Sequence, residues 1–106
     1  MSKENSVLIE YFGASPITRI SDFFLENYLF DYSKKQVAEG SGMGQVTLFS
    51  IWPKIEELEL VKVTRKFGKT KLYKLNEENP VVKKLIELEL ILAEKASEKT
   101  KVLQLA

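Results

Sequence analysis

The chain has 106 residues, a net charge of +1 and 44% hydrophobic residues, enough for one core, since a chain of this size buries roughly two-thirds of its extended-chain surface on folding. With no cysteine and no histidine, thiolate and imidazole metal sites and Ser-His or Cys-His nucleophile pairs are excluded. The near-neutral total hides sorted charge: residues 1–53 carry −2, 54–76 carry +4, 77–98 carry −3 and 99–106 carry +2.

Lysine (14) far exceeds arginine (2), and glutamate (13) far exceeds aspartate (2), a bias of proteins working at high temperature, where ion-pair desolvation costs less. A thermophilic source is the expectation. The start lacks a basic segment followed by an apolar signal core, and no apolar run approaches the roughly 18 residues of a membrane span, so a cytoplasmic location is expected.

Val7 to Phe12 is a short apolar run behind the candidate caps Asn5 and Ser6, closed by Gly13, and reads as a brief helix within residues 1–14. Ser15-Pro16 starts a second helix with a hydroxyl cap and a proline where the missing N–H costs nothing. Ile17, Ile20, Phe24 and Tyr28 follow at steps of three and four, predicting one buried face that ends near Asn27 to Leu29.

Ser33 to Gln36 has the spacing of a capping box, which predicts a short helix from Lys34 to about Glu39. Gly40-Ser41-Gly42 reads as its break. A further helix from about Gly44 to Glu59 presents Leu48, Ile51, Trp52, Ile55 and Leu58 within one sector of about 120°. Two helices joined by a glycine turn, the second with an apolar stripe, form a helix-turn-helix pattern. Pro53 removes one hydrogen bond and crowds the carbonyl of Phe49, costing about 3 kcal/mol in a regular helix and predicting a kink there.

Between Lys62 and Lys74 stand six cations and no acid: Lys62, Arg65, Lys66, Lys69, Lys71 and Lys74. Val61, Val63, Leu72, Tyr73 and Leu75 punctuate them, so the charge sits on a strand pair: Leu60 to Arg65, a turn at Lys66-Phe67-Gly68-Lys69, then Thr70 to Leu75. Such a comb suits a polyanion, from which each neutralised phosphate releases counterions. Alternating lysines equally keep an exposed edge strand soluble.

Asn79-Pro80 opens a last helix running to about Ala96 or Glu98. Val81, Leu85, Leu88 and Leu92 follow four-three-four steps, with Val82, Ile86 and Ala93 as a second stripe. Burying one leucine stabilises by roughly 1.5–3 kcal/mol, so Leu85, Leu88 and Leu92 make a candidate seam for a homodimer. The other reading packs them on their own domain. Lys99 to Ala106 is a tail of unassigned structure.

The order helix, helix, glycine turn, helix, basic hairpin, closing helix resembles small archaeal winged helix-turn-helix transcription regulators over roughly residues 14–90. The words that carry it are Gln36-Val37-Ala38-Glu39, Gly42-Met43, Thr47-Leu48-Phe49, Lys54-Ile55-Glu56-Glu57-Leu58-Glu59-Leu60-Val61 and Lys71-Leu72-Tyr73-Lys74-Leu75-Asn76. The resemblance implies a mostly α fold with a small β-hairpin wing: a winged helix-turn-helix over 15–76, with an additional N-terminal helix and a C-terminal helix over 77–98. It also implies double-stranded DNA as partner, the helix after Gly44 entering the major groove and the wing gripping the flanking backbone. Thr47-Leu48-Phe49 with Trp52-Pro53 and Glu56-Glu57-Leu58 is similar too to the recognition segment of tetracycline-repressor-type regulators. Those have no wing, and their ligand-binding domain does not fit this length.

The chain departs from the family at that helix, with Gly44 for the usual serine cap and no arginine within it. Base readout then rests on Gln45 toward adenine, Thr47 or Ser50, and Val46 against a thymine methyl, with Lys54 alongside. Arg65, Lys66, Lys69 and Lys71 are the candidate phosphate contacts of the wing. Lys34 and Lys35 join them from a helix start, where orphan N–H groups also favour a phosphate. Phe67 at the wing tip is expected to wedge into a minor groove, meet a partner or lie back on the sheet.

The reading is a dimeric DNA-binding transcriptional regulator. The alternative is a winged-helix protein-interaction module, for which Val46, Phe49, Pro53 and Phe67 are the apolar contacts. Carboxylates are the only candidate acid–base groups, and Glu56, Glu57, Glu87 and Glu94 read as solvated faces, so no enzyme activity, catalytic residue, metal or cofactor is assigned. A small-molecule effector leaves no short signature and is likewise unassigned.

Overall fold

A computed structural model describes residues 7–105, as α1 (Val7–Phe12), α2 (Pro16–Glu26), α3 (Lys34–Ser41), α4 (Gln45–Glu57), β1 (Val61–Phe67), β2 (Thr70–Leu75) and α5 (Pro80–Leu105). The proposed caps Asn5 and Ser6 lie outside the described residues. The whole is a winged helix-turn-helix: α2, α3 and α4 form the helical unit, the antiparallel β1–β2 hairpin is the wing, and α1 and α5 are added at the two ends.

Ser15 caps α2 by accepting from the Thr18 N–H at 3.2 Å. The helix stops at Asn27, whose side-chain amide donates to the Phe23 carbonyl at 2.7 Å. Tyr28 therefore falls beyond the last turn and is exposed, and Leu25 joins Ile20 and Phe24 in the core instead. In α3 the capping box forms in both directions, Ser33 Oγ accepting from Gln36 N–H and Gln36 Oε1 from Ser33 N–H. The helix runs through Gly40 and ends at Gly42, whose φ of 69° makes the left-handed cap, so the expected stop at Gly40 came too early. Gly40 serves another purpose: a Cβ there would run into the Phe23 ring, so its absence lets α3 approach α2.

Leu48, Trp52 and Ile55 of α4 are buried and Ile51 half-buried, as the stripe predicts, but Leu58 is 43% exposed. The cause is the backbone: α4 ends at Glu57, Glu59 takes φ 54°, and the chain turns so that Leu60 enters the core in place of Leu58. Pro53 sits within α4 without ending it. Asn76 and Asn79 brace the turn, their amides donating to the Glu59 carbonyl at 3.1 and 3.0 Å, and that of Asn79 also to the Leu58 carbonyl at 3.1 Å. Asn79 Oδ1 in turn accepts from Val81 N–H and caps α5.

In the hairpin Phe67 pairs with Thr70, leaving only Gly68-Lys69 as the turn; Lys66 and Phe67, expected in the turn, belong to β1. The register slips between Val63 and Arg65, a bulge at Thr64 that increases local twist. Tyr32, just before α3, exchanges two backbone hydrogen bonds with Tyr73 at 2.8 and 2.7 Å, adding a one-residue third rung to the β2 edge. Edge-on rings then run through the interior, Phe23 to Tyr32 and Trp52 to Tyr73 each at 4.9 Å between centroids, with Phe24 against Trp52 at 6.4 Å.

The last helix passes its expected end at Ala96 or Glu98 and reaches Leu105, so the backbone of most of the segment read as a tail is helical. Its first turn buries Val82 and exposes Val81. Of the residues expected on a dimer seam of α5, Leu92 is only 5% exposed, and Leu85 and Leu88 are half-buried against the chain's own core. The reason is α1, which packs on both α2 and α5 and sets Leu8 in that core. Ile91, three residues on from Leu88 and on its side of α5, is exposed, as is Leu90 on the far side.

Candidate nucleic-acid interface

An open groove lies between α4 and the wing, with the start of α3 as its third side. Lys34 and Lys35 of α3, Phe49 and Glu56 of α4, and Lys69 and Lys71 of the hairpin line it, and Tyr73 lies at its base. The Tyr32–Tyr73 rung explains the convergence. By tying residue 32 to β2 it delivers the next turn of chain, and so Lys34 and Lys35, to the flank of the wing. The ammonium of Lys34 stands 5.4 Å from the Phe49 ring centre and 5.9 Å from that of Trp52, an attraction of about 0.5–1 kcal/mol at an exposed site that orients the cation over α4. Burial first, and the charge of Glu56 next, push the Tyr73 phenol up.

On the wing Lys66 is directly opposite Lys71, and Lys62 opposite Lys74. Like charges so placed destabilise a strand pair. Glu78 relieves the second pair, its carboxylate 3.4 Å from Lys62. Among the described residues Lys66, Lys69 and Lys71 are in no ion pair. Cross-strand partners share a face of a hairpin, so Lys66 stands on the same side as Lys71. A solubilising edge gains nothing from uncompensated opposition, whereas a surface that meets an anion does.

Arg65 is the exception among the predicted phosphate contacts. Its Nε and Nη2 donate to Asp31 at 2.9 and 2.8 Å, and the Thr64 hydroxyl donates to the same carboxylate at 2.5 Å. These two donors, Arg65 first, hold the Asp31 carboxyl well below the usual carboxylate range. Arg65 therefore braces the wing against the loop before α3. Its guanidinium also lies 5.5 Å over the Phe67 ring, and Phe67 remains 60% exposed at the tip. Asp31 and Tyr32 are the contributors missed in the sequence, because each acts through one partner distant in the chain.

On α4, Gln45, Val46, Thr47, Ser50 and Lys54 are all exposed, Val46 at 87%. Ser50 Oγ donates to the Thr47 carbonyl at 2.7 Å, and Lys54 Nζ is 3.9 Å from Glu57. The first turn of α4 thus leaves Gln45, Val46 and Thr47 exposed. No helix among the described residues is long and apolar enough to cross a membrane.

No protein-family model and no curated protein matches the sequence. Solved structures do. A mutant of Lactococcus lactis ZitR in apo form has a TM-score of 0.64 at 16% identity, over 91% of this chain and 72% of that one. A second ZitR mutant structure has a TM-score of 0.62 at 16% identity, over 81% of this chain and 58% of that one, less than two-thirds of its length. Sso10a-2, a DNA-binding protein from Sulfolobus solfataricus, has a TM-score of 0.51 at 20% identity, over 82% and 92%. At these identities the likeness is one of fold.

Proposed function

We propose that the protein is a double-stranded DNA-binding transcriptional regulator of the winged-helix kind, acting in the cytoplasm as a homodimer. It is a binding protein and not an enzyme. The observation that carries the reading is the convergence of Lys34, Lys35, Lys69 and Lys71 on one groove that Phe49 and Glu56 of α4 also line, on the helix whose first turn is exposed. With α4 in the major groove, these ammonium groups and Lys66 meet the phosphates on either side, and Gln45, Val46 and Thr47 face base edges. Sequence preference is modest, because these are few readers and none is an arginine. The fold is shared with Sso10a-2, described as DNA-binding, which supports the same partner. The excess of lysine and glutamate fits work at high temperature.

Dimerisation is proposed through α5, with the exposed Ile91 meeting a second copy alongside the half-buried Leu88, three residues before it on the same face. Two reading helices then address successive major grooves. A dimer making about six to ten phosphate contacts loses about 10³ to 10⁵ in affinity between 50 and 200 mM salt. A salt-titrated shift assay on a mixed-sequence duplex tests this, and a flat response refutes it. A second reading, a protein-interaction module, is favoured by exposed Val46, Phe49 and Phe67. Lys66→Glu with Lys69→Glu separates the two, since it abolishes DNA binding and leaves an apolar interface largely intact.

A further inference from the structure

A second constellation lies where α2 meets α5, and none of the groove residues belongs to it. Asp22 and Glu26 are four apart on α2 and share a face, and Glu89 reaches them from α5. One carboxylate oxygen from each lies within 4.8 Å of the others. Asp22 is only 9% exposed, and its buried Oδ1 accepts no hydrogen bond; the buried Oε2 of Glu89 accepts none either. A carboxylate is not left so for nothing, because removal from water without a compensating donor or cation is strongly unfavourable. Burial first, and then the negative charges of Asp22 and Glu26, push the Glu89 carboxyl up.

We infer that Asp22, Glu26 and Glu89 bind a hard divalent cation that joins α5 to α2. The donor set selects the class, since oxygen ligands without nitrogen or sulfur suit calcium, magnesium or manganese. Three carboxylate oxygens lying within 4.8 Å of one another can share one such ion, with water completing the shell. The ion neutralises two of three carboxylates and fixes the angle at which α5 leaves the helical unit. This inference does not rest on DNA binding.

The test uses the full chain dialysed against EDTA at neutral pH. Mn²⁺ is titrated by the loss of its free electron-paramagnetic-resonance signal, and melting is followed with Ca²⁺, Mn²⁺ or Mg²⁺ against KCl of equal ionic strength. One saturable Mn²⁺ per chain is expected, with a melting temperature raised by the divalent cations over KCl of equal ionic strength. Asp22→Asn and Glu89→Gln each weaken Mn²⁺ binding at least about tenfold, and Glu87→Gln, outside the cluster, leaves it unchanged. In EDTA, Glu89→Gln melts at or above the parent because it removes repulsion, so its loss of binding is not a loss of fold. Absence of saturable Mn²⁺ binding overturns the inference, as does binding undiminished in both cluster variants. So does a metal-blind protein whose carboxylates share a proton or take a lysine from a second copy.

Discussion

Replacing Lys69 and Lys71 by glutamine tests the groove most directly, because its effect is computable from the arrangement. Five ammonium groups per protomer flank α4: Lys34, Lys35, Lys66, Lys69 and Lys71. If a dimer engages all of them, ten phosphates are neutralised, and the slope of log affinity against log salt is about −9 at about 0.9 per contact. Removing two per protomer leaves six, a slope of about −5.4, so the loss of affinity between 50 and 200 mM salt shrinks from about 10⁵ to about 10³. The fold is not at risk, since Lys71 faces Lys66 across the hairpin and its neutralisation relieves like-charge repulsion. Fluorescence anisotropy of a short labelled duplex across that salt range reads the slope, and Lys83→Gln on α5 is the control that leaves it unchanged. A slope unaltered by the double substitution refutes the groove as the phosphate surface, whatever the absolute affinity.

Asp31→Asn removes the carboxylate that holds Arg65 and Thr64. Because the Asp31 carboxyl is depressed in the folded state, its stabilisation is present above the unfolded value of about 3.9 and is lost as pH falls below it. The parent therefore melts above the variant at neutral pH, and the gap closes on acidification below about pH 4; a constant gap in the calorimetric series contradicts the linkage. Gly40→Ala places a methyl against the Phe23 ring and destabilises by about 1–3 kcal/mol as overpacking, measured by urea unfolding, and a neutral result removes the close approach as the reason for that glycine. Ile91→Glu yields a monomer by light scattering with the helical circular dichroism retained, whereas Leu92→Glu, at a buried position, unfolds the chain; persistence of a dimer in the first variant excludes that seam.

Local chemistry was legible in the sequence wherever a residue acts on its near neighbours. The Ser15 and Ser33 caps, the start of α5 after Asn79, and the alternating strands all depend on partners a few positions away, and the structure has them where the spacing predicts. Boundaries depend on backbone angles that composition does not state: Gly42, not Gly40, took the left-handed cap, and the positive φ of Glu59 exchanged Leu58 for Leu60. An apolar stripe reveals that a helix will be covered but not by what: Leu92 reads as available to a second chain, whereas Leu8 of α1 shares its core. For the candidate interface the wing lysines were visible as a charge run. Their union with Lys34 and Lys35 was not, since it turns on one backbone rung between Tyr32 and Tyr73. The pairing of Arg65 with Asp31, 34 positions away, was equally out of reach of local pattern.

The asparagine brace has a mechanical consequence. Asn76 and Asn79 bolt the tail end of α4, the foot of the wing and the root of α5 into one joint. From that joint α5 extends for 26 residues, a rod of about 39 Å at about 1.5 Å per residue. Val82, Leu85 and Leu92 clamp its first half to the core, so a load on the distal tip is carried into the head as a whole, and α4 and the wing turn with α5 as one body.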